Sequence, residues 1–139
     1  MGVNKFNSEG YYDPTPYEAL TNILREERKV RSYRPLVYIC SPYAGKVDAN
    51  LEKARRYSRF AVDAGYIPIT PHLYLPQFML EEDERDLIMF MDIVLLSKCA
   101  ELWVFGKEIS NGMRIEIDRA NRKGQTVRYF TEDLKEVTR

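Results

Sequence analysis

The chain has 139 residues, which makes one domain the default, and its 45% apolar content suffices for one sizeable core. Its 21 Lys and Arg balance 21 Asp and Glu, so long nucleic acid, for which a basic stripe is expected, is not the favoured partner. A single histidine excludes a His-rich metal site. The two cysteines, Cys40 and Cys99, lack any CxxC or Cys/His cluster and read as reduced core residues.

In chain order, Met1 to Asp13 are polar and read as a loose or docked arm. In "TPYE" Thr15 can be an N-cap, Pro16 the first helical residue and Glu18 the capping-box partner. The spacing predicts a helix to about Arg28 with Tyr17, Leu20 and Leu24 on one face. The basic run "REERKVRSYR" is a solvated helix end and linker. "LVYIC" is a short apolar run of the kind buried on both faces of a sheet, and "SPYAGK" follows it as a loop. A helix is predicted over Val47 to Ala64, with Leu51, Ala54, Ala61 and Val62 inward and Gly65 as its C-cap. "YIPIT" is the second strand, and its Pro68 suggests an edge. "PHLYLPQF" is a proline-rich loop. Leu80 to Cys99 is predicted as a helix with Leu87, Phe90, Met91, Val94 and Leu95 in the core. "ELWVFG" is a third strand, Asn111 to Lys123 a helix and "TVRYF" a fourth strand. "TEDLKEVTR" reads as a short cover helix capped at Thr131.

This alternation implies an α/β fold with right-handed crossovers and a mostly parallel sheet. Ligands in such sheets bind beyond the carboxyl ends of the strands, where the strand order reverses. That selects the loops Ser41–Lys46, Pro71–Phe78 and Gly106–Gly112. No stretch is apolar enough to span a membrane, and no secretory leader is visible, so a cytoplasmic protein is the expectation.

The first loop offers Tyr38, Ser41, Tyr43 and Gly45. It is neither a Walker A loop nor a GxGxxG turn, so a Rossmann dinucleotide site is disfavoured. Ser110, Asn111, Gly112 and Met113 lead into the helix bearing Glu116. There a serine either caps the helix or joins an anion site at its N-terminus. Glu116 is either a surface charge paired with Arg119 or Lys123, or a working group. Asp92 lies on a helix among Ile88, Met89, Leu95 and Leu96, and burying it there requires a partner or a cavity. His72 could point into the same mouth or be an ordinary loop histidine. Tyr74, Phe78 and Met79 can stack on a base or pack in the core. Two carboxylates, Asp92 and Glu116, beside a phosphate-friendly loop suit glycosyl transfer. One stabilises or attacks the oxocarbenium-like carbon and the other manages protons.

The motifs "VYICSPY", "FMDIVLLSKCAELWVFG", "SNGMRIE" and "EIDRA" occur in an order that resembles the nucleoside 2-deoxyribosyltransferase superfamily. The branch of nucleoside 5′-monophosphate N-glycosidases is the nearer one, over roughly residues 36–130. The resemblance implies a three-layer flavodoxin/Rossmann-like sandwich with four to five strands. Residues 1–34 would add an extra N-terminal helix to an α/β domain at 35–139. It implies Glu116 as nucleophile, Asp92 as acidic partner and Tyr38 as the tyrosine positioning the glutamate. Ser41, Tyr43, His72, Ser110, Gly112 and Met113 would bind a nucleotide or nucleoside, with no metal, cofactor, membrane or long nucleic acid involved. Ser110 replaces the aspartate usual in the transferases, which suits a phosphate dianion. Ala100 and Glu101 stand where the family often has an aspartate, and the first-loop arginine of the hydrolases is absent, with Lys46 nearby. A homodimer or larger homo-oligomer is also implied. The other readings are base exchange by a transferase and a non-catalytic nucleotide-binding module.

Overall fold

The computed structural model describes residues 16–31 and 33–138. Helix α1 (Pro16–Arg31) belongs to one compact unit, and the residues from Pro35 onward form a second. In α1 the apolar residues Tyr17, Leu20, Ile23 and Leu24 are exposed. The helix runs three residues past the predicted end, and the expected Thr15 cap and N-terminal arm lie outside the described residues.

The second unit alternates strand and helix. Its elements are β1 (Leu36–Cys40), α2 (Val47–Asp63), β2 (Ile67–Ile69), two short 3-10 turns over 71–77, α3 (Arg85–Ser97), β3 (Glu101–Phe105), α4 (Asn111–Arg122), β4 (Thr126–Phe130) and β5 (Glu136–Val137). The five strands form one sheet in the order β2-β1-β3-β4-β5. The first four are mutually parallel and β5 is antiparallel to β4. Pro68 has no N–H to donate, and β2 accordingly lies at the edge. The chain leaves β1 toward β2, then crosses back to β3 on the other side of β1. The strand order therefore reverses between β1 and β3, next to the loops after Cys40 and Phe105.

Alternate residues of the strands feed two apolar clusters. Tyr38, Cys40, Leu102 and Val104 pack with Leu96 of α3 and with Met113, Ile117 and Ala120 of α4. Val37, Ile39, Trp103, Phe105 and Phe130 pack with Tyr57 and Ala61 of α2. The second cluster is aromatic, with Tyr57 stacked on Phe105 at 4.1 Å between ring centroids. Beside it, Glu101 accepts hydrogen bonds from Tyr66 (2.7 Å) and Trp103 (2.9 Å). Glu101 thus has a structural task.

Two helices differ from the sequence expectation. Helix α3 starts at Arg85, not Leu80. The Glu84 carboxylate reaches back to the Leu80 amide at 3.0 Å, and Leu80 carbonyl accepts from Asp83 and Glu84, so 80–84 close as a separate turn. Its inward residues are Ile88, Asp92 and Leu96, while Leu87, Phe90 and Val94 are exposed. The helix is apolar on both sides, so periodicity did not identify the buried one. The C-terminal segment is a hairpin, not a cover helix. The Thr131 amide donates to the Lys135 carbonyl and the Lys135 amide to the Thr131 hydroxyl, Leu134 adopts a left-handed φ of 68°, and Arg128 grips Glu136 through two nitrogens.

Candidate functional site

The period of two along β1 puts Tyr38 and Cys40 on the same side of the sheet, the one covered by α3 and α4. Helix α4 presents Met113, Glu116, Ile117 and Ala120 as its buried stripe. Glu116 is therefore in the middle of the face that packs against the sheet, and only 2% of it is exposed. Helix α3 brings in Asp92 from a buried row with Ile88 and Leu96. The surface-pair reading of Glu116 fails on this burial. The reading of Asp92 as a carboxylate on an apolar face holds.

A buried carboxylate without compensation is costly, and the proton is the cheapest relief. Burial pushes Asp92 up to about 7, and the charge of Glu81 adds to this. Burial pushes Glu116 up to about 8; the Tyr38 hydroxyl and the Cys40 thiol oppose the rise, and Asp92 reinforces it. The mutual repulsion falls on Glu116 because it ionises second, against an Asp92 already charged; the two steps belong to the pair. Tyr38 and Cys40 are both held protonated, first by burial and then by the Glu116 charge.

The hydrogen-bond inventory singles out the same place. Cys40 Sγ lies 3.6 Å from Glu116 Oε1. Tyr38 Oη, Ser41 Oγ, Asp92 Oδ1 and Glu116 Oε2 are buried with no hydrogen-bond partner. The Tyr38 hydroxyl thus acts on Glu116 as a nearby dipole without forming a hydrogen bond of proper geometry. Among the described residues the one other such side-chain atom is Gln125 Oε1. Native interiors leave few polar atoms unsatisfied, so the three that act on one another, from Tyr38, Asp92 and Glu116, mark a polar centre.

The loops divide into two groups. After β1, the Ser41 carbonyl accepts from His72 Nε2 at 2.9 Å, and the His72 ring stacks on Tyr43 at 5.5 Å. Burial lowers the His72 pKa against an opposing rise from its bond to the Ser41 carbonyl, and the ring ties the loop after β1 to the turn after β2. At the start of α4, Ser110 is the N-cap and accepts from the Met113 amide at 3.2 Å. The Met113 amide is thereby used, and its side chain is in the core. Gly112 sits under α3: a Cβ there would meet Met89 Cε at 3.4 Å. Tyr74 and Phe78 are exposed, their rings 6.2 Å apart.

Cys40 is a free, fully buried core cysteine, as its sequence context implies; its contact with Glu116 has no local sequence signal, although it stands two residues after Tyr38 and so shares its face. Gln125 is a residue that the sequence reading does not single out. Gln125 donates from Nε2 to the carbonyls of Leu96 and Cys99 at 2.9 and 2.8 Å, which closes the end of α3. No local sequence signal pairs residues so far apart. Among the described residues no three His, Cys, Asp or Glu side chains are grouped to hold a metal ion, and no helix is long and apolar enough to cross a membrane.

Residues 35–130 match the model of a family described as a domain of unknown function, DUF7768. The match covers well over half of the chain, which therefore belongs to that family. No curated protein matches the sequence.

Proposed function

We propose that this DUF7768 chain hydrolyses the N-glycosidic bond of a nucleoside 5′-monophosphate, with Glu116 as nucleophile. A Glu116 oxygen would bond to the anomeric carbon as the bond to the base nitrogen breaks. The base leaves as its anion; Asp92, ionised before Glu116, then takes a proton from the attacking water and passes it to the base, as the hydroxyl oxygen bonds to the anomeric carbon, the bond to Glu116 breaks, and the sugar phosphate and the carboxylate are released. Asp92 would orient the base and manage protons, and Tyr38 would hold the nucleophile. The observation that carries the reading is the burial of Glu116 Oε2, Asp92 Oδ1 and Tyr38 Oη without partners at the switch point of the sheet.

Ser110 fits a phosphate-binding role despite its cap. Accepting from Met113 leaves its O–H free to donate, and the amides of Asn111 and Gly112 have no acceptor within the helix. Ser41 Oγ is buried and unpartnered, which supports the same role for it. For His72, the bond to Ser41 and the stack with Tyr43 favour holding the loop over touching substrate.

The strand order and the two clusters support a three-layer flavodoxin/Rossmann-like sandwich over 35–139, to which α1 (Pro16–Arg31) is an added helix. We also propose a cytoplasmic homodimer or larger homo-oligomer. Its support is the exposed row Leu87, Phe90 and Val94 on α3.

The test is a panel of ribo- and deoxyribonucleoside monophosphates, with free base as the readout and Glu116→Ala beside it. Release that depends on Glu116 is expected. If no member of the panel is cleaved by folded protein, the hydrolase reading is lost. Base exchange between free nucleosides would favour a transferase. Tight binding without turnover, unchanged in Glu116→Gln, would favour a binding module.

A further inference from the structure

We propose that Cys40 is a positioning residue for Glu116, its thiol holding Oε1 so that Oε2 is the oxygen left for chemistry. The two oxygens of Glu116 are unequal in the structure. Oε1 lies 3.6 Å from Cys40 Sγ, while Oε2 is buried with no partner. The terminal torsion of a glutamate is broad and roughly two-fold, so an unheld carboxylate rocks between orientations. A donor on one oxygen removes that freedom and fixes where the other oxygen's lone pairs point.

Cys40 is well placed for this. It is fully buried on β1, which is paired on both sides, by β2 and by β3. Its thiol keeps its proton, so it can only donate to the carboxylate. Tyr38, on the same strand face, has a hydroxyl with no hydrogen-bond partner, and so does the Asp92 oxygen from α3. The thiol is the one side-chain donor whose geometry already engages Glu116. A thiol is a weak donor, which suits a carboxylate that must stay reactive.

The identity of Oε2 as the reacting oxygen rests on the glycosidase reading; the positioning by Cys40 does not. Two spectroscopic measurements therefore test the positioning without turnover. The first is the S–H stretching band in the infrared, taken in a Cys99→Ala background so that Cys40 is the only thiol. A shift of that band on Glu116→Gln, and with pH as Glu116 ionises, is expected. The second is the titration of Glu116 followed by carbon NMR of labelled glutamate. The groups that act on Glu116 are Tyr38 and Cys40 from β1 and Asp92 from α3, the last itself pushed by Glu81. Cys40→Ala should raise the Glu116 midpoint by about 0.5 pH unit, the size of one weak hydrogen bond. Cys40→Ser, which keeps a donor, should bring it back to or below the wild-type value.

An S–H band indifferent to Glu116→Gln overturns the proposal, and it needs no Cys40 variant to fold. An unchanged midpoint in a folded Cys40→Ala overturns it as well. If base release is found, the same variants should show kcat falling several-fold in Cys40→Ala with KM held, and recovering in Cys40→Ser. Absence of release from wild type would remove the glycosidase reading while leaving both spectroscopic results decisive.

Discussion

Glu116 is kept inside the molecule at a cost that varies with pH. Its carboxyl is held at about 8 against an ordinary 4.5, and Asp92 at about 7 against 3.8. Between the ordinary and the raised values the folded chain binds more protons than the unfolded one. The contribution of the pair to stability therefore falls as pH rises through that window, being fully present below about pH 4 and lost above about pH 8. Glu116→Gln removes the larger share of this slope. We expect it to stabilise the protein at pH 8 by on the order of 1–3 kcal/mol and to change little at pH 4, read from denaturant midpoints at the two values. If the proposed chemistry holds, the nucleophile must be ionised. The rate kcat/KM should then climb as pH passes from about 7 to about 8, the range of the pair. A profile that falls over that range would contradict an attacking carboxylate.

At the scale of elements, the site depends on how α3 ends and how α4 begins. Gln125 ties the Leu96 carbonyl of α3 and the Cys99 carbonyl just beyond it to the start of β4, and α3 carries Asp92. Gln125→Ala should cost about 1–2 kcal/mol in chemical denaturation, because the Cys99 carbonyl loses its donor while the Leu96 carbonyl keeps the Cys99 amide. Ser110→Ala removes the cap of α4 and should cost about 1 kcal/mol. Strands β1, β3 and β4 were readable because continuous apolar runs and flanking turns delimit them. Helix α2 was readable because Gly65, with φ of 91°, stops it. Asp92 and Glu116 stood out as acids at switch-point positions, one of them among aliphatic neighbours. What escaped is what depends on distant partners. The outward face of α3 could not be told from its inward face when both are apolar. The hairpin after Phe130 depends on Arg128 reaching Glu136 across the strand pair. The link from Cys40 to Glu116 spans the chain from first strand to last helix.

For the whole molecule, the row Leu87, Phe90 and Val94 leaves a large aromatic residue, Phe90, 65% exposed. Apolar rows of this kind mark surfaces that meet a partner. Phe90→Glu should shift the protein to monomer in sedimentation at concentrations where wild type is associated, while circular dichroism stays unchanged. Wild type sedimenting as a monomer would remove the proposed oligomer. The edges of the sheet bear on the same question. One edge is β2, three residues long with a proline at its centre, and the other is β5, two residues long. Neither offers a run of unpaired N–H and C=O groups on which a foreign strand could register. These edges guard the fold against growth into ribbons and fibrils, and the proposed association would run through side chains, where single substitutions can tune it.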